Sequence, residues 1–146
     1  KVTIIEKASV FGGTTSKSGC YVWIPNNFEM QRLGMEDKKD DFLKYTAHYS
    51  YPKTFDPKHP TLGLHPNTHD LLSTYYDNAN RMVESLMAKD AIDYEIARLG
   101  GSEAPLANDY FEHSAYNKAS RGRALAPVGL DTGAGGGSNV MAQMLR

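Results

Sequence analysis

Glu6, Gly12-Gly13-Thr14-Thr15 and Ser16-Lys17-Ser18-Gly19 follow one another near the start of the chain, and they are the residue types that a nucleotide site uses. A carboxylate accepts hydrogen bonds from the vicinal hydroxyls of a ribose, and in a doubly wound sheet it stands at the end of the second strand. Glu6 stops a short β-branched run, Val2-Thr3-Ile4-Ile5, in that way. Gly12 and Gly13 have no Cβ, so backbone there can approach a diphosphate closely. A lone Gly-Gly pair is more often an ordinary turn between two strands, so the order of acid and loop matters more than either alone.

The pattern of the chain predicts the elements that must hold these groups. The run at 2–5 does not alternate, as in a parallel strand covered on both faces. Residues 21–24 form an aromatic and β-branched strand candidate, ended by Pro25-Asn26-Asn27 as a turn. A helix is expected over 37–49, with Asp37, Asp40 and Asp41 suiting its positive end. Pro52, Pro57, Pro60 and Pro66 make 51–66 an irregular excursion. Leu71, Leu72, Tyr75, Tyr76, Ala79, Met82, Val83, Leu86 and Met87 recur at helical spacing, which predicts a core-facing helix over 68–89. Ile92, Tyr94 and Ile96 alternate as a strand closed by Gly100-Gly101, residues 102–137 read as loop, and a last helix is expected over 138–146.

A dinucleotide site also needs a first strand and a G-x-G-x-x-G turn leading into a helix. The chain has neither before Lys1, so it reads as an internal piece of a longer protein whose remainder is its first partner. Sixteen Lys and Arg against seventeen Asp and Glu leave a net charge of −1, which argues against nucleic acid and anionic membranes as partners. No apolar run approaches the roughly 18 residues of a membrane span. The single cysteine, Cys20, cannot close an internal disulfide, which points to a reducing, cytoplasmic setting with export left open. Arg121 and Arg123 could fork onto a phosphate or carboxylate, although loop salt bridges are their commoner use. His65 and His69 are four apart, but Pro66 and the want of a third ligand argue against a metal.

Val2-Thr3-Ile4-Ile5-Glu6-Lys7, Phe11 through the Gly-Gly-Thr-Thr loop to Gly19, and Val22-Trp23-Ile24-Pro25-Asn26-Asn27 together resemble the flavoprotein family of fumarate reductase flavoprotein subunits and 3-ketosteroid Δ1-dehydrogenases. Gly122-Arg123-Ala124-Leu125 and Gly135-Gly136-Gly137 extend the likeness to a GR-x-L segment and a Gly-rich helix entry. The resemblance implies an α/β fold, part of a Rossmann-like FAD-binding domain. Its second strand and flavin loop would be residues 1–27, a helical and loop-rich insertion 28–125, and the Gly-rich loop and helix 126–146.

It further implies FAD as cofactor. Glu6 and Lys7 would lie at the adenosine ribose, and Gly12, Gly13, Thr14, Thr15, Ser18 and Gly19 at the phosphates and flavin side. Cys20 and Tyr21, where the family has smaller residues, would lie near the flavin ring. Tyr110, in an Asp-Tyr pair before the GR-x-L segment, is the catalytic candidate; the plain alternative is a packing tyrosine in a chain with nine. The activity implied is oxidation or reduction of a CH–CH bond beside a carbonyl, on a small-molecule ketone or dicarboxylate. The alternative from another class is a non-catalytic truncated fragment or interaction module.

Overall fold

The computed structural model describes Thr3, residues 5–129 and residues 136–144. Four helices, α1 (Phe28–Arg32), α2 (Lys39–Ser50), α3 (Pro66–Met87) and α4 (Gly136–Met144), pack with a small sheet of β1 (Val22–Trp23), β2 (Tyr94–Ile96) and β3 (Ala124–Pro127). The chain is therefore mixed α/β. The described sheet runs β1-β3-β2 and both pairings are antiparallel, with Trp23 opposite Ala124 and Glu95 opposite Ala126.

Thr3 and Ile5 take no strand, and Ile5 is 92% exposed, so the buried strand expected at 2–5 is not formed by the residues described there. A parallel strand needs a neighbour to complete its ladder, and the described sheet is built from later residues. Lys1, Val2 and Ile4 lie outside the described residues, as do Gly135, Leu145 and Arg146.

β3 forms the centre of the sheet inside the segment expected to be loop. Ala-Leu-Ala-Pro carries little strand propensity, and its partners on both sides impose the conformation. α1 was also not expected; it follows the Pro25-Asn26-Asn27 turn because the Asn27 side chain accepts from Met30 N–H at 3.0 Å and caps a five-residue helix. α3 begins earlier than its apolar periodicity, since Pro66 suits the first turn and the His65 ring accepts from Asn67 N–H.

Ile24, Val83, Tyr94, Leu125 and Val140 form one core cluster. Phe42, Leu43, Ala47, Leu62 and Leu64 form another, with Trp23 and Tyr76 against it. Each Val, Leu, Ile or Phe among them contributes roughly 1.5–3 kcal/mol when fully buried. α3 serves both clusters, burying Ala79 and Val83 in the first and setting Leu72 and Tyr76 against the second. Its stripe is not all core, however: Leu71 is 68% exposed, and Tyr75 and Met82 also reach solvent. The proline-rich excursion is ordered by its own residues, because Leu62 and Leu64 are buried and Gly63, at φ +77°, lies where a Cβ would strike the Thr54 carbonyl.

Candidate functional site

Antiparallel pairing puts Trp23, Ala124, Ala126 and Glu95 on one face of the sheet, since opposed residues share a face and alternate residues along β3 do too. Ala124 and Ala126 are small, so this face is shallow at its centre. Two cavities open on it. One, of about 310 Å³, is lined by Tyr21, Val22, Trp23, Asn108, Asp109, Tyr110 and Ala124. The other, of about 530 Å³, has Tyr21, Arg32, Glu95, Arg98, Gly101 and Ala126 in its walls. Tyr21 borders both, so the two form neighbouring halves of one trough.

The trough brings together Tyr21 and Tyr110, which are 89 positions apart in sequence. Tyr110 is 97% exposed and Tyr21 is half exposed, so both phenols are available to a small molecule. The chain beside Tyr110 is anchored at Asp109. That side chain is buried, accepting from Trp23 Nε1 at 2.8 Å and from Arg123 Nη1 at 2.6 Å.

Arg123 is the centre of that support. Its Nε and Nη2 donate to the two Asp37 oxygens at 2.8 and 2.7 Å, and Nη1 also donates to Asn117 Oδ1 at 3.0 Å. The guanidinium lies 5.3 Å from the centroid of Trp23 and 5.0 Å from that of Tyr45. Burial works to lower the Arg123 pKa, but hydrogen bonds and charge from Asp37 and Asp109 outweigh it and hold the pKa above its ordinary value. Arg123 is thus committed to two internal carboxylates. Asp37, expected at a helix start, is the other half of the pair, and the first-turn acids of α2 are Asp40 and Asp41. Arg121 is likewise engaged, by the Leu106 carbonyl at 2.8 Å and Glu112 at 3.4 Å.

Residues 12–18 are packed against the start of α4. Gly12 (φ +106°) and Gly13 (φ +50°) turn the backbone, and Thr15–Lys17 make a single 3-10 turn. Ser18 O accepts from Gly137 N–H at 2.8 Å, and Ser138 Oγ donates to Ser16 O at 3.2 Å. Gly137 is required for this fit, because a Cβ there would collide with the Thr15 carbonyl. A Cβ on Gly13 would meet nothing within 4 Å, so the turn is open on that side.

Thr14 and Thr15 are exposed, and Thr14 makes no side-chain cap hydrogen bond. Ser18 Oγ bonds the Thr15 carbonyl and Cys20 Sγ, each at 2.9 Å. Cys20 is half-buried at φ +48°, and Gly19 lies under the Tyr21 ring. Glu6 and Lys7 are exposed, and Glu6 Oε1 accepts from Ala8 N–H at 2.8 Å.

Sequence reasoning missed Arg98 and Glu95 as wall residues. The available signal was their place at the end of a strand candidate, just before Gly100-Gly101, where a chain bend leaves side chains at a rim.

No family model matches the chain. Over 42 residues, 29% of the chain, it is 48% identical to a 3-oxosteroid 1-dehydrogenase of Mycolicibacterium smegmatis, covering 7% of that protein. A 3-oxosteroid 1-dehydrogenase of Comamonas testosteroni is 29% identical over 86 residues, which are 59% of this chain and 13% of the relative. A 4-oxocyclohexanecarboxylate 2-dehydrogenase of Sinomonas cyclohexanicum is 43% identical over 44 residues, 30% of this chain and 8% of its own length. The chain is thus similar, over short stretches, to proteins named as dehydrogenases, and these matches span about a tenth of their length.

Proposed function

We propose that the chain is part of the FAD-binding domain of a dehydrogenase that acts on the CH–CH bond beside a ring ketone. The observation that carries this reading is the cavity shared by Tyr21 and Tyr110, with Tyr21 eight positions after Gly13 in sequence. Short similarity to two kinds of cyclic-ketone dehydrogenase supports the same class.

The residues fit the cofactor. The 3-10 turn uses the N–H groups of Ser16, Lys17 and Ser18 internally, so those of Gly13, Thr14 and Thr15 remain at its open end as donors for phosphate oxygens. The Thr14 and Thr15 hydroxyls are exposed beside them, and the space over Gly13 admits a ligand that a Cβ would exclude. Glu6 keeps one carboxylate oxygen beyond its Ala8 bond for ribose hydroxyls, and Lys7 adds positive charge near them. FAD, when bound, supplies hydride transfer.

The chain's own residues would orient and polarise the ketone. A phenol donates a hydrogen bond to a carbonyl oxygen, and this polarisation acidifies the adjacent C–H. Tyr110 is the donor in this reading, and Tyr21 forms the wall against which the ring is set. Asp109, pinned by Trp23 and Arg123, fixes the backbone that presents Tyr110.

The test supplies the whole protein, of which the chain is proposed to be part, with FAD, a cyclic ketone and an artificial electron acceptor. Formation of the α,β-unsaturated ketone, with kcat falling about 10²-fold in Tyr110→Phe, is the expected result. A protein that binds FAD yet desaturates nothing, or a Tyr110→Phe variant as active as the parent, contradicts it.

A further inference from the structure

We infer that Arg98 makes the larger half of the trough a carboxylate site, so that the molecule accepted across the sheet is a ring compound with an anionic group at the end away from Tyr110. The ring-ketone half of this statement rests on the proposed function; the carboxylate half rests on the cavity alone.

Arg98 is half-buried in the wall of the 530 Å³ cavity, and its Nη1 donates to the Ala104 carbonyl at 2.7 Å. That bond fixes the guanidinium against the loop after β2. No carboxylate pairs with it among the described residues. The contrast with the other wall arginine is direct, because Arg32 is bound to Glu29 at 2.6 Å. Arg121 and Arg123 also have acid partners, Glu112 for the first and Asp37 with Asp109 for the second.

A half-buried guanidinium with one carbonyl acceptor keeps several N–H donors unused. The planar fork matches a carboxylate bidentately, and it is less strongly hydrated than an ammonium. The acids in the wall do not cancel it. Glu29 is engaged by Arg32, while Glu95 is exposed in the middle of β2 and makes no ion pair among the described residues. Glu95 shares the wall and repels an anion, so removing its charge should strengthen the preference that Arg98 creates. Tyr21 supplies an aromatic wall and Ala126 a small floor residue, which together suit a saturated ring. The volume falls within the usual range for small-molecule sites.

The experiment titrates the protein with cyclohexanecarboxylate and with cyclohexanecarboxamide by calorimetry, at low and moderate salt. The two probes have nearly the same shape and differ in charge. The acid is expected to bind at least tenfold more tightly, with the preference lost in Arg98→Gln and sharpened a few-fold in Glu95→Gln. Equal binding of the two probes by the parent protein, no binding of either, or a preference that survives in Arg98→Gln overturns the proposal. Because the parent comparison needs no substitution, a misfolded variant does not blunt it. A protein that prefers the acid but takes up no FAD keeps the carboxylate site and sinks only the proposed reaction.

Discussion

The two ends of β1 present opposite uses of charge. Beyond its carboxyl end, Asn26 N–H and Arg123 close on Asp37, and Arg123 also reaches Asp109, in a knot whose three charged side chains are at most 2% exposed. Before its amino end, the turn over 12–18 bonds mainly to itself and to α4, with Thr14, Thr15 and Glu6 at the surface. The comparison separates residues that hold the trough in shape from those placed to meet a ligand. Burial and ion pairing put Arg123 in the first class, and Arg98, as proposed above, would fall in the second.

Breaking the knot is expected to have the largest effect. Asp37→Ala leaves the Arg123 charge in the core with one carboxylate in place of two, which should cost about 3–5 kcal/mol. Calorimetric unfolding measures it, and a loss below about 1 kcal/mol would place the pair among solvated surface bridges.

Tyr110→Phe is the matching test at the exposed end of the same support. Stability should change by no more than about 0.5 kcal/mol, as for an ordinary surface position. Turnover should nevertheless fall about 10²-fold, equivalent to roughly 2.7 kcal/mol of barrier. Steady-state kinetics and a melting curve on the same sample separate these outcomes.

Gly137→Ala acts on the open turn. Its Cβ would push against the Thr15 carbonyl, so the turn and α4 must separate at a cost of about 1–3 kcal/mol. FAD affinity should fall with it, whereas Asp37→Ala should leave FAD affinity of the folded protein unchanged. Equilibrium denaturation together with flavin titration checks both halves.

The smallest effect concerns alkali. Burial is the leading cause that raises the Tyr45, Tyr76 and Tyr94 pKa values, helped at Tyr45 by the Asp109 charge, at Tyr76 by that of Asp37 and at Tyr94 by that of Cys20. Above about pH 10 the unfolded chain gives up phenolic protons that the folded chain retains. Stability is therefore intact below that pH and declines above it. Phenolate absorbance should show these three phenols ionising later in the folded than in the unfolded protein; ionisation in step with the unfolded chain and no loss of stability would contradict their burial.

Periodicity made α2, α3, β2 and α4 legible within a few residues, because each buries a face with a recognisable repeat. It failed at β3, where Ala124, Ala126 and Pro127 give no strand signal and the sheet partners decide the conformation. It also overstated the core of α3, since Leu71 and Met82 have helical spacing but no packing partner to cover them. For the site, the glycines are expectations from motif order and Tyr110 one from the family resemblance. Arg98 was not among them, because its meaning depends on what Arg32, Arg121 and Arg123 already bind. Pairing is a property of the folded chain and cannot be counted from composition.

The most direct measurement of the central claim is the dissociation constant for FAD, by flavin fluorescence, in the parent protein, Glu6→Gln and Arg123→Lys. Saturable uptake by the parent, weakened about tenfold in Glu6→Gln without a change in melting temperature, is the expected result, while Arg123→Lys should melt earlier yet bind FAD normally when folded. Absence of uptake by the parent, or equal affinity in Glu6→Gln, would contradict the account.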